Sequence, residues 1–269
     1  MSALGKFASR MLGNPVGNDG SQLRNEMARL QALPRYQQTE TDLLGEPLRL
    51  VDSASFLSSY REIFDEEIYR FPSLSNNPLI LDCGANIGLG VIYWKRLYPS
   101  ARIVAFEPDP GVFESLVWNC KQRQLEGVEL VNKAVWSGPG EVSFLSEGAD
   151  AGHVAFGSLR DATQTIQVPS VRLFDYLNEP IELLKLDIEG AEIEVLRDCQ
   201  NKLDNINHLF VEYHSFLGQQ QYLDEVFFIL KRSGFRIHIK SELVTSMPFV
   251  ERLNYLGLDN SLNIFAYRN

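Results

Sequence analysis

The chain has 269 residues, of which 45% are hydrophobic, a composition that suits one large domain or one domain with a small appendage and excludes a disordered or fibrous chain. Lys and Arg number 25 against 35 Asp and Glu, and the formal charge of -10 argues against a nucleic-acid partner or an anionic membrane surface. Cys83, Cys120 and Cys199 are scattered, odd in number and without CxxC spacing, which suggests neither a disulfide framework nor a zinc site and points to the reducing cytoplasm.

At the N-terminus, Lys6 and Arg10 interrupt Leu4, Phe7, Ala8 and Met11, and Gly13-Asn14-Pro15 follows. No signal peptide or stable membrane insertion is expected; an amphipathic turn touching a membrane or partner competes with a frayed or docked end. Leu23, Met27 and Leu30 have helical spacing within Ser21 to Leu33, and Pro34 ends the segment. Thr39 to Val51 reads as irregular or as a short hairpin. Ser53 or Ser55 is expected to cap a second helix that carries Phe56, Tyr60, Ile63, Phe64 and Ile68 toward a core. With a loop over Pro72 to Pro78, residues 1–78 form a mostly helical lead-in, and residues 79–269 form the main domain.

From Leu79 onward, short apolar strands alternate with helices. Strands are expected at Leu79 to Leu81, Arg102 to Phe106, Val128 to Val131, Ile181 to Leu186, His208 to Glu212, Phe235 to Ile239 and Ser261 to Tyr267. Helices are expected from Gly88, Gly111 and Glu189, and near Tyr222 to Ser233. This is an α/β pattern: an open, mostly parallel sheet covered on both faces, closed by an antiparallel hairpin. Ser137-Gly138-Pro139-Gly140 predicts a hairpin that extends the third strand, and Ser146 to Gln164 has the length and composition of a lid or substrate loop.

Directly after the first strand stands Asp82-Cys83-Gly84-Ala85-Asn86-Ile87-Gly88. A dinucleotide fingerprint fails here, because Asn86 and Leu89 occupy the second and third glycine positions, and no P-loop Gly-Lys-Ser/Thr is present. The turn instead matches acid-x-Gly-x-x-x-Gly, the pattern of S-adenosylmethionine sites. A carboxylate suits the ammonium and sulfonium of that molecule, and the glycines permit close approach. Glu107, at the end of the second strand, is placed to take both ribose hydroxyls.

Four stretches, Leu81 to Gly88, Ala105 to Pro110, Lys185 to Glu192 and Val211 to His214, together resemble the FkbM family of S-adenosylmethionine-dependent methyltransferases. The likeness runs from about Phe56 to the last strand. It implies a class I, Rossmann-like methyltransferase sheet of seven strands and, for many members, O-methylation of a sugar or natural product. The expected cofactor set is Asp82, Gly84, Ala85, Asn86, Gly88, Glu107, Pro108, Ala134 and Asp187.

Asp187 stands at a strand end, where ligands of open α/β sheets gather. Glu189 and Glu192 are expected in the first turn of the following helix, where capping is the competing role, especially for Glu192. Strand alternation puts Glu212 and His214 on one face beside Asp187. A neutral imidazole suits deprotonation of a hydroxyl, so His214 is the expected general base, with Asp187 next; a structural histidine is the alternative. Asp187 and Glu212 could instead hold a divalent metal, but only Glu189 joins them and no dense Asp cluster is present, so no metal is expected to be required.

Tyr60 and Glu62 are expected in the acceptor wall, and His153 could reach substrate from the long loop, although a solvated role competes. His208 and His238 read as structural or exposed. The expected activity is methyl transfer to a hydroxyl of a glycan, a nucleotide or lipid-linked sugar, or a glycosylated metabolite. The alternatives are N- or O-methylation of a non-sugar product and a binding module without catalysis. No pattern speaks to oligomeric state.

Overall fold

The computed structural model describes residues 20–73, 75–145, 153–154, 165–242, 247, 249–250 and 257–268. The expected N-terminal amphipathic turn lies outside the described residues, as does the segment 146–164 apart from His153 and Val154.

The lead-in opens with helix α1 (Gly20–Gln31) and the antiparallel pair β1 (Thr39–Thr41) and β2 (Leu48–Leu50). Helix α2 (Ser53–Tyr60) follows and runs into a π turn at Arg61–Asp65. Its N-cap is Asp52, not either serine: the buried carboxylate accepts the Ser55 N–H at 2.9 Å and the Tyr36 N–H at 2.7 Å. A carboxylate offers enough acceptor sites for these donors and for Arg35 Nε at 2.9 Å, which a serine hydroxyl does not.

Leu30, Leu48, Leu50, Phe56 and Ile63 join one core with Ile80, Ile92, Trp94, Ile103 and Leu116 of the main sheet and its helices. Each fully buried side chain of this kind contributes about 1.5–3 kcal/mol, which holds the lead-in against the sheet. Asn119 adds a polar fastening. Its fully buried amide accepts the Arg49 N–H at 2.7 Å and donates to the carbonyls of Arg49 at 3.0 Å and Ile87 at 2.9 Å.

The main sheet contains β3 (Leu79–Cys83), β4 (Arg102–Phe106), β5 (Val128–Val131), β10 (Ile181–Leu186), β11 (Ile206–Phe216), β12 (Arg236–Ser241) and β13 (Leu258–Tyr267). Their order is β12-β13-β11-β10-β3-β4-β5. Pairing is parallel from β11 through β5, and β13 lies antiparallel between β11 and β12. Helices α3 (Leu89–Leu97), α4 (Pro110–Gln122), α5 (Glu192–Cys199) and α6 (Leu223–Arg232) complete the layers. A second core lies beneath α5 and α6, where Ile193, Leu196 and Ile229 meet Leu81, Leu184 and Val211. This is the class I methyltransferase arrangement.

The expected hairpin at Ser137 to Gly140 is not formed as one. Strands β6 (Ala134–Trp136) and β7 (Gly140–Leu145) belong to a separate four-stranded sheet with β8 (His153–Val154) and β9 (Thr165–Arg172), in the order β6-β9-β7-β8. Strand β9 is inserted between the two arms, parallel to β6 and antiparallel to β7. Pro169 disguises β9 in the sequence, yet β6 pairs with it only from Ser170 onward, beyond the residue that lacks an N–H. Among the described residues no helix is long and apolar enough to cross a membrane. Cys83, Cys120 and Cys199 are free and buried.

Candidate active site

The carboxyl ends of β3, β4, β10 and β11 open into one cleft, roofed by residues of α2 and the π turn. After β3 the chain turns sharply, and the N–H groups of Gly84 and Ala85 both donate to the Phe106 carbonyl, at 3.0 and 2.8 Å. Asn86 is left-handed at φ 48°. The glycines answer to packing more than to a ligand. A Cβ on Gly84 would lie 1.9 Å from the Asp187 carbonyl oxygen, and one on Gly88 would lie 2.7 Å from Leu116 Cδ1. Gly84, Ala85 and Asn86 line the cleft, whereas Gly88 faces α4.

Glu107 lines this cleft. It is 7% exposed, with Oε2 accepting the Asn86 N–H and Oε1 accepting the Asp109 N–H, both at 2.9 Å. Burial pushes its carboxyl up to about 8, against the pull of these two donors. A pair of hydroxyl donors would return it toward the charged form. Asn132, which the sequence reading passed over, donates from Nδ2 to the carbonyls of Glu107 at 2.8 Å and Pro108 at 3.2 Å. Pro108 and Ala134 complete this wall.

Deeper in the cleft, Lys185, next to the carboxyl end of β10, ties three partners together. Its Nζ lies 3.5 Å from Asp82 Oδ1 and 3.1 Å from Asp187 Oδ2, and donates to the Gly84 carbonyl at 2.8 Å. Burial lowers the affinity of the ammonium for its proton, but Asp187, Tyr69 and Asp82 outweigh this and hold it well above the ordinary lysine range. Burial raises Asp82, and Asp187 adds to the rise while Lys185 opposes it. A lysine among Leu183, Leu184 and Leu186 of a central strand was the sequence signal for this group.

The other end of the cleft is acidic. Glu189 does not enter a helix, because α5 begins at Glu192; Glu189 and Gly190 are left-handed at φ 54° and 100°. Glu192, 1% exposed, holds this loop, accepting the N–H groups of Ile188 at 3.1 Å and Gly190 at 3.0 Å. His214 is surrounded: Nε2 lies 3.5 Å from both Glu189 Oε2 and Glu212 Oε1, and Nδ1 lies 3.4 Å from Glu192 Oε1. Burial lowers the imidazole, but the three carboxylates outweigh it and hold the ring well above its usual value. The neutral imidazole expected of a general base is therefore replaced by a cation. Burial raises Glu189 and Glu212, with His214 opposing in each case.

Asp187, Glu189, Glu212 and Glu62 line the cleft, while His214 stands behind them. Glu62 rises to about 7 through burial first, then through Glu212 and Glu242. Tyr60, expected beside it, packs instead in the core, its ring 5.9 Å from Phe56 and 5.4 Å from Phe64. Its helix turns that face inward, and Ser59 and Glu62 take the cleft side. His153 lies in β8, but its side chain is outside the described residues. His208 shares a 3.0 Å contact between Nδ1 and the Glu182 carbonyl oxygen, away from the cleft, and His238 is exposed. Asp187, Glu212 and His214 could converge on a metal ion, with one ligand atom from each lying within 4.8 Å of the others.

The family profile described as Methyltransferase FkbM domain matches residues 82–237. The chain belongs to the FkbM methyltransferase family. Methyltransferase 1 of Beauveria bassiana is 31% identical over 178 residues, spanning 57% of this chain and 71% of the relative. The 31-O-demethyl-FK506 methyltransferase FkbM of Streptomyces tacrolimicus is 27% identical, spanning 68% of this chain and 82% of its own length. The hexuronic acid methyltransferase AglP of Haloferax volcanii is 29% identical, spanning 51% of this chain and 56% of its own length. The chain is thus a methyltransferase, and membership implies S-adenosylmethionine as methyl donor. The FkbM match covers Asp82, Glu107, Asp187, Glu189, Glu192, Glu212 and His214.

Proposed function

We propose that this FkbM methyltransferase transfers a methyl group from S-adenosylmethionine to a hydroxyl of a sugar or glycosylated metabolite. The observation that carries the reading is the buried Glu107 carboxylate, with one backbone N–H on each oxygen, facing a cleft whose far end is lined by Asp187, Glu189 and Glu212. One end suits a ribose diol, and the other suits hydroxyl groups that donate hydrogen bonds. The name of the Haloferax relative, a hexuronic acid methyltransferase, supports a sugar acceptor, and that of the Streptomyces relative supports O-methylation.

When bound, S-adenosylmethionine supplies an electrophilic methyl group on a sulfonium. Glu107 would receive the ribose hydroxyls, while the charged set Asp82, Lys185 and Asp187 would hold the methionine end. The acceptor hydroxyl loses its proton to Glu189, whose carboxylate shares the field of protonated His214 at 3.5 Å. The bound donor would supply the methyl carbon with its sulfur as leaving group, and Glu189 would keep the proton taken from the hydroxyl. A left-handed non-glycine residue held beside a cleft is the kind of local strain that recurs at functional sites. The roof of α2 excludes water and aligns the acceptor.

The test is turnover of a sugar panel by the wild type and by Glu189→Gln, with release of S-adenosylhomocysteine as readout. Loss of turnover with cofactor affinity retained supports the assignment; full activity in the variant refutes Glu189 as base. A second reading, a hydroxyl on a non-sugar natural product, is favoured by the name of the FK506-related relative. Turnover of such a hydroxyl with no sugar accepted would select it.

A further inference from the structure

Tyr69 lines the cleft, yet none of the steps above uses it. It sits in the tight turn after the π turn, where the Arg70 N–H donates to the Glu67 carbonyl at 2.9 Å, and it is 7% exposed. Neighbouring rings fix its own. Phe210 meets it in a T-shaped arrangement with centroids 5.0 Å apart, and Trp94 lies tilted against it at 5.6 Å and donates from Nε1 to the Tyr69 carbonyl at 3.2 Å.

The phenol end is left open. Among the described residues its hydroxyl makes no hydrogen bond, while the sealed side-chain atoms without one are Asp82 Oδ1, Ser115 Oγ and Asn263 Oδ1, so the Tyr69 oxygen is reached from the cleft. The charges acting on it are Lys185, Asp187, Glu212 and Asp82, which places it where the methionine end of the cleft meets the acceptor end. Burial, with the three carboxylates adding and Lys185 opposing, holds the phenol well above its ordinary value, so it stays protonated and takes no proton from an acceptor. What it offers there is an oxygen with two lone pairs and a ring toward which a cation is already drawn, Lys185 Nζ standing 5.9 Å from its centroid.

We infer that Tyr69 is a donor-recognition residue, whose hydroxyl oxygen and ring stabilise the positive charge of the methylsulfonium and so separate the donor from its product. The inference rests on S-adenosylmethionine being the methyl donor and adds a residue to the site that receives it. An acceptor hydroxyl finds stronger acceptors in the carboxylates of Glu189 and Glu212, which leaves the phenol oxygen to the donor. Lone pairs and π electrons attract a cationic sulfur and its polarised methyl group, and the neutral thioether left after transfer loses that attraction.

The experiment is calorimetric titration of S-adenosylmethionine, S-adenosylhomocysteine and sinefungin, which carries an ammonium in place of the methylsulfonium, into the wild type and Tyr69→Phe. Phenylalanine keeps the packed ring and removes only an oxygen that makes no hydrogen bond among the described residues, so the fold is expected to persist, as a thermal melt checks. The variant is expected to bind S-adenosylmethionine about threefold or more weaker and sinefungin about tenfold weaker, with affinity for S-adenosylhomocysteine kept. Three ligands weakened alike would make Tyr69 a wall of the pocket and overturn the inference. Unchanged affinity for all three would overturn it too, whether or not the acceptor KM rises. Failure of all three to bind the wild type would instead strike S-adenosylmethionine as the donor.

Discussion

Glu192 holds the N–H of Gly190 with both carboxylate oxygens, at 3.0 Å each, and in doing so bends the chain that presents Asp187 and Glu189 to the cleft. The left-handed Gly190 is needed there, since a Cβ would stand 2.8 Å from the Phe216 ring. Glu192 is thus a positioning residue for the acceptor end. Glu192→Ala should cost about 1.5–3 kcal/mol of stability and lower kcat far more than cofactor affinity. Urea unfolding, turnover and calorimetry separate the two effects. Glu192→Gln, which keeps one acceptor oxygen, should recover part of the loss.

Removing the Glu107 carboxylate should weaken S-adenosylhomocysteine by about tenfold or more, the worth of a charge-assisted hydrogen bond to a ribose hydroxyl. Glu107→Ala, measured by calorimetry beside a thermal melt to show that the fold persists, checks this. Unchanged affinity would place the ribose elsewhere.

Stability should fall as pH rises from about 4.5 toward about 8. The folded-state carboxyl of Glu107 is raised from 4.5 to about 8, and that of Glu62 to about 7, so across this window the unfolded chain releases protons that the folded chain retains. Above the window these two groups add no further slope. Thermal melts across the range, with and without S-adenosylhomocysteine, provide the measurement. The ligand should flatten the part that belongs to Glu107.

His214 acts in the same direction, over a window that begins higher. Its folded value is raised above 6.5, so its contribution is fully present below that pH and is lost as pH rises through the folded value. Its imidazole proton resonances should stay in the charged position through neutrality. A neutral ring at pH 7 would contradict the three-carboxylate cage. His214→Asn should destabilise the fold and abolish turnover while cofactor binding survives.

Alanine at Gly84 should prevent folding or cost about 4 kcal/mol or more, because its Cβ would meet a backbone carbonyl oxygen at 1.9 Å. Alanine at Gly218, left-handed at φ 79° with nothing within 4 Å, is the control and should cost only about 1–2 kcal/mol. Expression and urea midpoints compare them.

The parallel strands were legible because Leu79 to Leu81, Arg102 to Phe106 and Ile181 to Leu186 are short, largely apolar stretches, as suits strands covered on both faces. Glu107 was legible because its place at a strand end follows from counting along the chain. Strand β9 was hidden by Pro169, and Asp52 was overlooked as a cap because two serines follow it. The charge on His214 could not be read, since Glu212 alone shares its strand face, and only folding brings Glu189 and Glu192, from the segment after β10, to 3.5 and 3.4 Å from the ring. Likewise Gly84 and Gly88 look like ligand glycines in sequence, and only packing shows which atoms exclude a side chain there.

Asn119 has one more implication. Its amide pairs with the Arg49 backbone in both directions and reaches Ile87 in the turn after β3, so hairpin, helix and turn are locked as one rigid piece. The hairpin that leads into the α2 roof is thereby anchored to the sheet. Among the described residues, then, the α2 side of the cleft is expected to act as a fixed wall against which an acceptor is placed.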